Sequence, residues 1–327
     1  MTDPDGKNGQ NGLDGADRGD RIGRRREDRI VGPSEATQRA VEQARAAARD
    51  DLPVWLWGPT GAGKEFFARA IHSWSSRRDQ PFDVVACASI PPALQARELF
   101  GCAAGTHPSV PEPYVGRLAR AAGGSILLDG APALLPEVRS SLLRALAERR
   151  FRPEGASEEQ ALRARLLASA DARSDGAWLG ELPRHELRLV PLAERSEDVA
   201  PLAAHFLAVY AEEAGVRPVG FTPEARAWLL AEPWPGNVRE LRERIRQAVR
   251  IAGTGAVSAE ALLLSSESAE IPSFKEAKRA FETRYVCGLL RRCNGNISRA
   301  ARLAKKDRKD FYDVIRCTGV DPAQFRS

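Results

Sequence analysis

The chain has 327 residues, a formal net charge of +5, and 43% hydrophobic, 28% charged but only 6% aromatic residues. That length accommodates about two or three domains with real cores, and the composition is that of a globular protein poor in the aromatics of β-sandwiches. No run approaches the roughly 18 apolar residues of a membrane span, no apolar signal core opens the chain, and the 5 cysteines include no CxxC pair. A membrane protein, a disulfide scaffold and a zinc site are therefore set aside, and a cytoplasmic location is expected.

Residues 1–29 are mostly Gly, Asp, Asn and Arg and are expected to form a disordered arm, because they cannot bury enough apolar surface to offset ordering. From Ile30 the pattern alternates. Ala36–Ala48 reads as a helix, Val54–Trp57 as a strand, and the stretch around Glu65–Ser73 as a helix. Val84–Ala88 and Ser125–Asp129 read as strands, Leu134–Glu148 as a helix, and Arg165–Ser169 and Leu187–Leu192 as two more strands. Short buried strands alternating with helices predict a parallel α/β sheet over residues 30–192. Strand signals then stop. Residues 197–214, 223–232 and 237–252 read as helices, within a helical unit over 193–264. A polar linker over 265–273 precedes a last helical module over 274–327.

The most specific local pattern is Gly58-Pro59-Thr60-Gly61-Ala62-Gly63-Lys64, which fits G-x-x-x-x-G-K between a predicted strand and a predicted helix. Its glycines let backbone N–H groups converge on phosphate oxygens, the helix N-terminus adds positive potential, and Lys64 reaches terminal phosphates. A nucleotide, expected to be ATP, follows. The usual Ser or Thr after the lysine is Glu65, which removes a common Mg²⁺ ligand. Asp129, at the end of Ser125–Asp129, is then the expected metal and catalytic carboxylate. Gly130 follows it and has no side chain to polarise an attacking water, so hydrolysis is expected to be weak or absent.

At the C-terminus, residues 274–327 hold 14 Lys and Arg against 6 Asp and Glu, a local charge of +8 on a body that sums to −3. This is the electrostatic footprint of nucleic-acid binding, against the blander reading of a solvated helical surface. Asn294-Gly295-Asn296 reads as a turn, and Ile297–Ala304 as a helix with Ala300, Ala301 and Leu303 inward. Lys305 and Lys306 form a corner. Asp307–Arg316 is a second helix with Phe311, Val314 and Ile315 inward. Arg308, Lys309 and Tyr312 are left on the side available to a major groove, with Lys305 and Lys306 placed for phosphates. The preceding helix, Phe274–Cys293, is suited to dimerisation; a helical oligomerisation hairpin is the alternative.

These blocks resemble the bacterial enhancer-binding proteins, the AAA+ activators of sigma-54 RNA polymerase. The likeness runs through Gly58–Glu65, Glu98-Leu99-Phe100-Gly101, Gly116-Arg117, Gly123-Gly124, Leu142-Leu143-Arg144 and Pro191-Leu192 with Glu194-Arg195. It continues in the octet Trp234–Leu241 and in Asn296, Ser298, Ala300 and Ala301. The resemblance implies an AAA+ P-loop parallel-sheet core, a helical lid, a Fis-type helix-turn-helix, ring assembly of the core and ATP with Mg²⁺. It assigns Arg239 to nucleotide sensing from the lid and Arg184 to a catalytic arginine finger. Its implied partners are double-stranded DNA, sigma-54 RNA polymerase or related activator subunits, and further copies of the chain.

Four departures from the family pattern stand out. The loop that reads GAFTGA in the family reads Gly105-Thr106-His107-Pro108-Ser109-Val110 here. The family's glutamate after Asp129 is Gly130, its sensor Asn or His falls at Asp171, and the second arginine finger is missing or displaced to Arg188. The expected function is therefore a DNA-binding transcriptional regulator with an ATP-binding AAA+ domain weak in hydrolysis. An ATP-gated DNA-binding scaffold or repressor without sigma-54 contact, and a fully active remodelling ATPase, are the alternatives.

Overall fold

The computed structural model describes residues 30–106, 112–217, 220–265, 283, 285–290, 292–293 and 295–325. The N-terminal arm, residues 107–111 of the altered loop, Asn294 of the turn, nearly all of the linker and most of the helix expected over Phe274–Cys293 lie outside these. The chain divides into two units, 1–265 and 266–327.

In the first unit, β1 (Val54–Trp57), β2 (Phe82–Ala86), β3 (Ser125–Asp129), β4 (Arg165–Ala170) and β5 (His185–Arg188) form one sheet in the order β2-β3-β4-β1-β5. Every pairing is parallel. The strands alternate by face, as their period of two requires. Leu56, Leu127 and Leu167 pack on the side of α1 (Glu35–Ala47) and α2 (Lys64–Trp74), with Ala44, Phe67 and Ile71. Trp55, Ile126, Leu128 and Leu166 face the other side. There they meet Leu99 of α3 (Gln95–Phe100), Leu118 of α4 (Arg117–Arg120) and Leu142 of α5 (Pro136–Glu148). Both faces are covered, the arrangement that lets a parallel sheet read as nearly continuous apolar runs.

Two strands sit earlier in the chain than their apolar runs predict. β2 is Phe82–Ala86 rather than Val84–Ala88, and it ends with Ala86 level with Asp129, after which Cys87–Ser89 closes into a 3₁₀ turn. β5 is His185–Arg188 rather than Leu187–Leu192, because it pairs residue for residue with the four positions of β1. Beyond it, Leu189 N donates to Trp57 O at 2.8 Å and the chain turns away.

A second core in the same unit joins α6 (Val199–Ala214), α7 (Pro223–Ala231), α8 (Asn237–Ala252) and α9 (Ala259–Leu264). Phe206, Leu229, Trp234, Leu241, Ile245 and Leu262 fill it. Arg244 lies over both Trp228 and Trp234, 5.2 Å from each ring centre, and its charge is matched by Glu240 and Glu232. The Thr222 hydroxyl caps α7 by accepting from Ala225 N, with Pro223 in its first turn.

In the second unit, Val286, Leu290, Cys293, Ala300, Ala301, Phe311 and Ile315 form a separate small core. It is built around α10 (Ile297–Leu303) and α11 (Arg308–Thr318). Leu303 is not part of it: its side chain is 48% exposed, contrary to the inward position its spacing suggested. At the corner Lys305 takes φ 51°, a left-handed conformation that a glycine adopts at less cost.

Candidate functional site

The loop between β1 and α2 is shaped by its glycines. Gly58, Gly61 and Gly63 all have positive φ, at 149°, 78° and 108°. A Cβ on Gly58 would lie 2.1 Å from Leu189 O, and one on Gly61 would lie 2.2 Å from Gly236 O. Side chains are excluded there by neighbouring backbone. At Gly63 the space is open, and the residue sits at the N-terminus of α2, whose first-turn amides face outward for an anion.

Lys64 Nζ donates to Gly58 O at 2.6 Å, to Pro59 O at 3.2 Å and to Asp171 Oδ1 at 2.8 Å. Thr60 Oγ1 donates to the same carboxylate at 3.2 Å. The Lys64 ammonium, with a weaker contribution from Thr60 and Arg239, holds the Asp171 carboxyl below the usual carboxylate range. Glu65, which follows the lysine, accepts from Arg69 Nη2 at 2.6 Å.

Asp129 ends β3 beside this loop. Ser169 Oγ, from the neighbouring strand, donates to Asp129 Oδ1 at 2.5 Å and accepts from Gly130 N at 3.1 Å. Gly130 itself is left-handed, at φ 70° and ψ 43°, with open space where its Cβ would be. Thus Ser169 fixes both the expected metal ligand and the backbone bend that follows it.

The helical unit is bolted onto the loop. Asn237 Nδ2 donates to Thr60 O at 3.0 Å, Asn237 Oδ1 accepts from Leu192 N at 2.7 Å, and Arg239 N donates to Gly61 O at 3.2 Å. From below, buried Arg195 donates to Ala62 O and Thr37 Oγ1, and buried Asp198 accepts from Ser34 and Thr37. Together these elements enclose a cleft of about 780 Å³. Its lining includes charged groups, among them Lys64, Asp129, Asp171, Arg239 and Arg242, and apolar ones, among them Leu202, Phe206 and Val238. A lining of both kinds suits a ligand with an anionic chain and a planar apolar head.

The chain matches the model of the Sigma-54 interaction domain over residues 30–186 and that of the AAA+ ATPase lid domain over residues 193–278. It is 34% identical over 309 residues to transcriptional regulatory protein GlrR of Escherichia coli (strain K12), an alignment covering 91% of this chain and 69% of GlrR. The chain belongs to the sigma-54-dependent activator family. Another relative, XylR of Pseudomonas putida, is 34% identical over 308 residues, 84% of this chain and 54% of XylR. Among solved structures, NtrX from Brucella abortus in complex with ADP matches with a TM-score of 0.64 and 29% identity, over 89% of this chain and 70% of that one. NtrX in complex with ATP matches with a TM-score of 0.63 at 30% identity, over 89% and 69%.

With the family established, the site residues read from the sequence separate into groups. Gly61, Lys64, Asp129 and Arg239 converge on the cleft, as do Thr60, Ala62, Gly63 and Glu65, while Gly58 and Pro59 hold Lys64 through their carbonyls. Arg184 is not brought to this cleft: its guanidinium donates to Gly180 O at 3.0 Å, Leu182 O at 3.1 Å and Glu186 Oε1 at 2.8 Å. Arg188 lies over the Trp57 ring and is 3.7 Å from Glu194. Sequence reasoning missed Ser169, the bolting role of Asn237 and the Lys64–Asp171 pairing. The octet Trp234–Leu241 was the one signal pointing toward Asn237. His72 is packed against Phe82 and Ser125, and burial pushes the Cys87 thiol up to about 12, so neither is a candidate for chemistry.

In the second unit Lys305, Lys306, Arg308, Lys309 and Tyr312 are all exposed, with Arg308 and Lys309 opening α11. Arg292, Arg299 and Arg302 line a separate shallow groove with Asn296 and Leu303.

Proposed function

We propose that this activator-family protein binds ATP in the cleft, turns it over slowly or not at all, and acts as a DNA-bound regulator. The observation that carries the reading is the contrast at one site. The phosphate loop retains its conformation and its lysine, while the residue after Asp129 is a left-handed glycine with no group to polarise water. The ATP and ADP complexes of NtrX support a nucleotide as ligand.

The residues fit a nucleotide with a divalent cation, although the cation's donor set is thin. Asp129, oriented by Ser169, is the ligand this chain offers, and Glu65 is turned to Arg69. A bound Mg²⁺ would supply neutralisation of phosphate charge. The chain's own residues bind and orient: the Gly61–Lys64 amides take phosphate oxygens, and Arg239 approaches from the lid. Arg184 would act on the cleft of a neighbouring copy in a homo-oligomer, once released from Glu186. The test is equilibrium nucleotide binding beside turnover for the full chain. Saturable binding with negligible turnover supports the reading, and absence of binding overturns it.

α11 is proposed as the DNA-reading helix. Arg308→Ala is expected to cost about 1–3 kcal/mol on a selected duplex and much less on scrambled DNA, as for a base contact. Lys305→Ala should weaken both equally, as for a phosphate contact. A salt slope near zero for the full chain would leave the basic helices as a solvated surface.

Action without unaided sigma-54 contact is favoured by one further observation. Thr106, the one hydroxyl residue among the described residues of the altered loop, donates to Ala103 O at 2.7 Å. Open complexes formed by this protein alone in a reconstituted sigma-54 assay would contradict that.

A further inference from the structure

Asp171 lies one residue beyond β4 and lines the cleft. Its side chain is 67% exposed, whereas that of Lys64 is only 10% exposed. The lysine's three N–H donors are matched by three acceptors: two loop carbonyls and the Asp171 carboxylate. The carbonyls belong to the loop that shapes the site, so the Asp171 carboxylate is the anionic acceptor that an incoming phosphate has to displace. Carboxylate and phosphate are the same kind of partner for an ammonium, an anionic oxygen. Once displaced, Asp171 stays tethered to β4 next to whatever has replaced it. A nucleoside triphosphate brings one more anionic phosphate to the lysine's end of the loop than a diphosphate does. An amide at this position would keep a hydrogen-bonding group and remove the charge.

We propose that Asp171 is a specificity-determining residue of the cleft. Its carboxylate competes with the terminal phosphate for Lys64 and biases the site toward nucleoside diphosphate over triphosphate. The inference rests on the nucleotide reading given above. It concerns affinity, not chemistry, and is separate from the loss of the glutamate at Gly130.

The test is calorimetric titration of ATP and of ADP into the full chain, in EDTA and again in excess Mg²⁺, for the unaltered protein, D171N and D171A. Asp171 is exposed and contributes nothing to the apolar core, so both variants are expected to stay folded, melting at most slightly below the unaltered chain for loss of the partly screened pair with Lys64. Each should bind ATP about tenfold more tightly, equivalent to about 1.4 kcal/mol, while ADP affinity moves by less than about threefold. An unchanged ratio of ATP to ADP affinity, with both nucleotides bound, overturns the proposal and leaves the nucleotide reading standing. Weaker ATP binding by D171N in Mg²⁺ would make Asp171 a ligand of the cation and also overturns it. Binding of neither nucleotide to any of the three proteins removes the nucleotide reading and this inference together.

Discussion

The two sides of the cleft have kept different things. On the side of the phosphate loop, three glycines with positive φ, a nearly buried lysine and a lid bolted on through Asn237 and Arg239 hold the backbone in a phosphate-binding shape. On the side of β3, Asp129 and its Ser169 partner remain, but the next residue is a glycine bent into the left-handed region. The first side is made of backbone conformation and packing, which many interactions enforce together. The second turns on one position, Gly130, where nothing lies within 4 Å of the place a Cβ would take. On the proposed reading, binding and turnover would be separable in this architecture because different kinds of structure carry them.

The largest expected effect falls on the first side. Lys64→Ala removes a charged donor to the terminal phosphates and should weaken nucleotide binding by roughly a hundredfold, measured by calorimetry. Retained affinity would mean the ligand sits elsewhere. Next is the bolt between loop and lid. Asn237→Ala strands Leu192 N and Thr60 O and places alanine at φ 55°, so thermal denaturation should show a loss of about 2 kcal/mol. A loss well below 1 kcal/mol would mean that Arg239 N and the Arg195 network carry the junction alone.

Gly130→Glu sharpens the comparison from the other side. A Cβ meets no neighbour there, but glutamate in a left-handed conformation should cost about 1–2 kcal/mol of stability. If turnover rises despite that cost, the rest of the site is competent; if it does not, the arginine region around Arg184 is the larger defect. Lys305 is the converse case, a non-glycine residue held at φ 51°. Lys305→Gly should raise the stability of the second unit by about 1 kcal/mol or less in a melt, while weakening DNA binding by one phosphate contact.

Much of this site was legible in local sequence, because its signals are local. The strand Val54–Trp57, the glycine spacing and the start of α2 lie within a few residues of one another, and turn chemistry sets their boundaries. The position of Asp129 is legible in the same way, as the polar end of an apolar run. The ends of β2 and β5 were misplaced because their partners, not their own apolar residues, set where pairing stops. Leu303 was misplaced because a seven-residue helix with a small-residue core leaves its last turn uncovered. The Lys64–Asp171 and Thr60–Asn237 contacts join residues 107 and 177 positions apart, a separation that no spacing rule reaches. Ser169 was hidden for another reason. It reads as an ordinary small residue in a buried strand, and its role appears only when β4 is seen beside β3.

On the proposed reading this chain holds nucleotide without consuming it at a useful rate. The decisive measurement is steady-state release of inorganic phosphate from saturating ATP and Mg²⁺ by the purified chain, in the same preparation that shows saturable ATP binding. Turnover far below about 1 s⁻¹, indistinguishable from that of Lys64→Ala, is expected. Turnover at about 1 s⁻¹ or faster, abolished by Lys64→Ala, would contradict it and show that another group performs the role that Gly130 cannot.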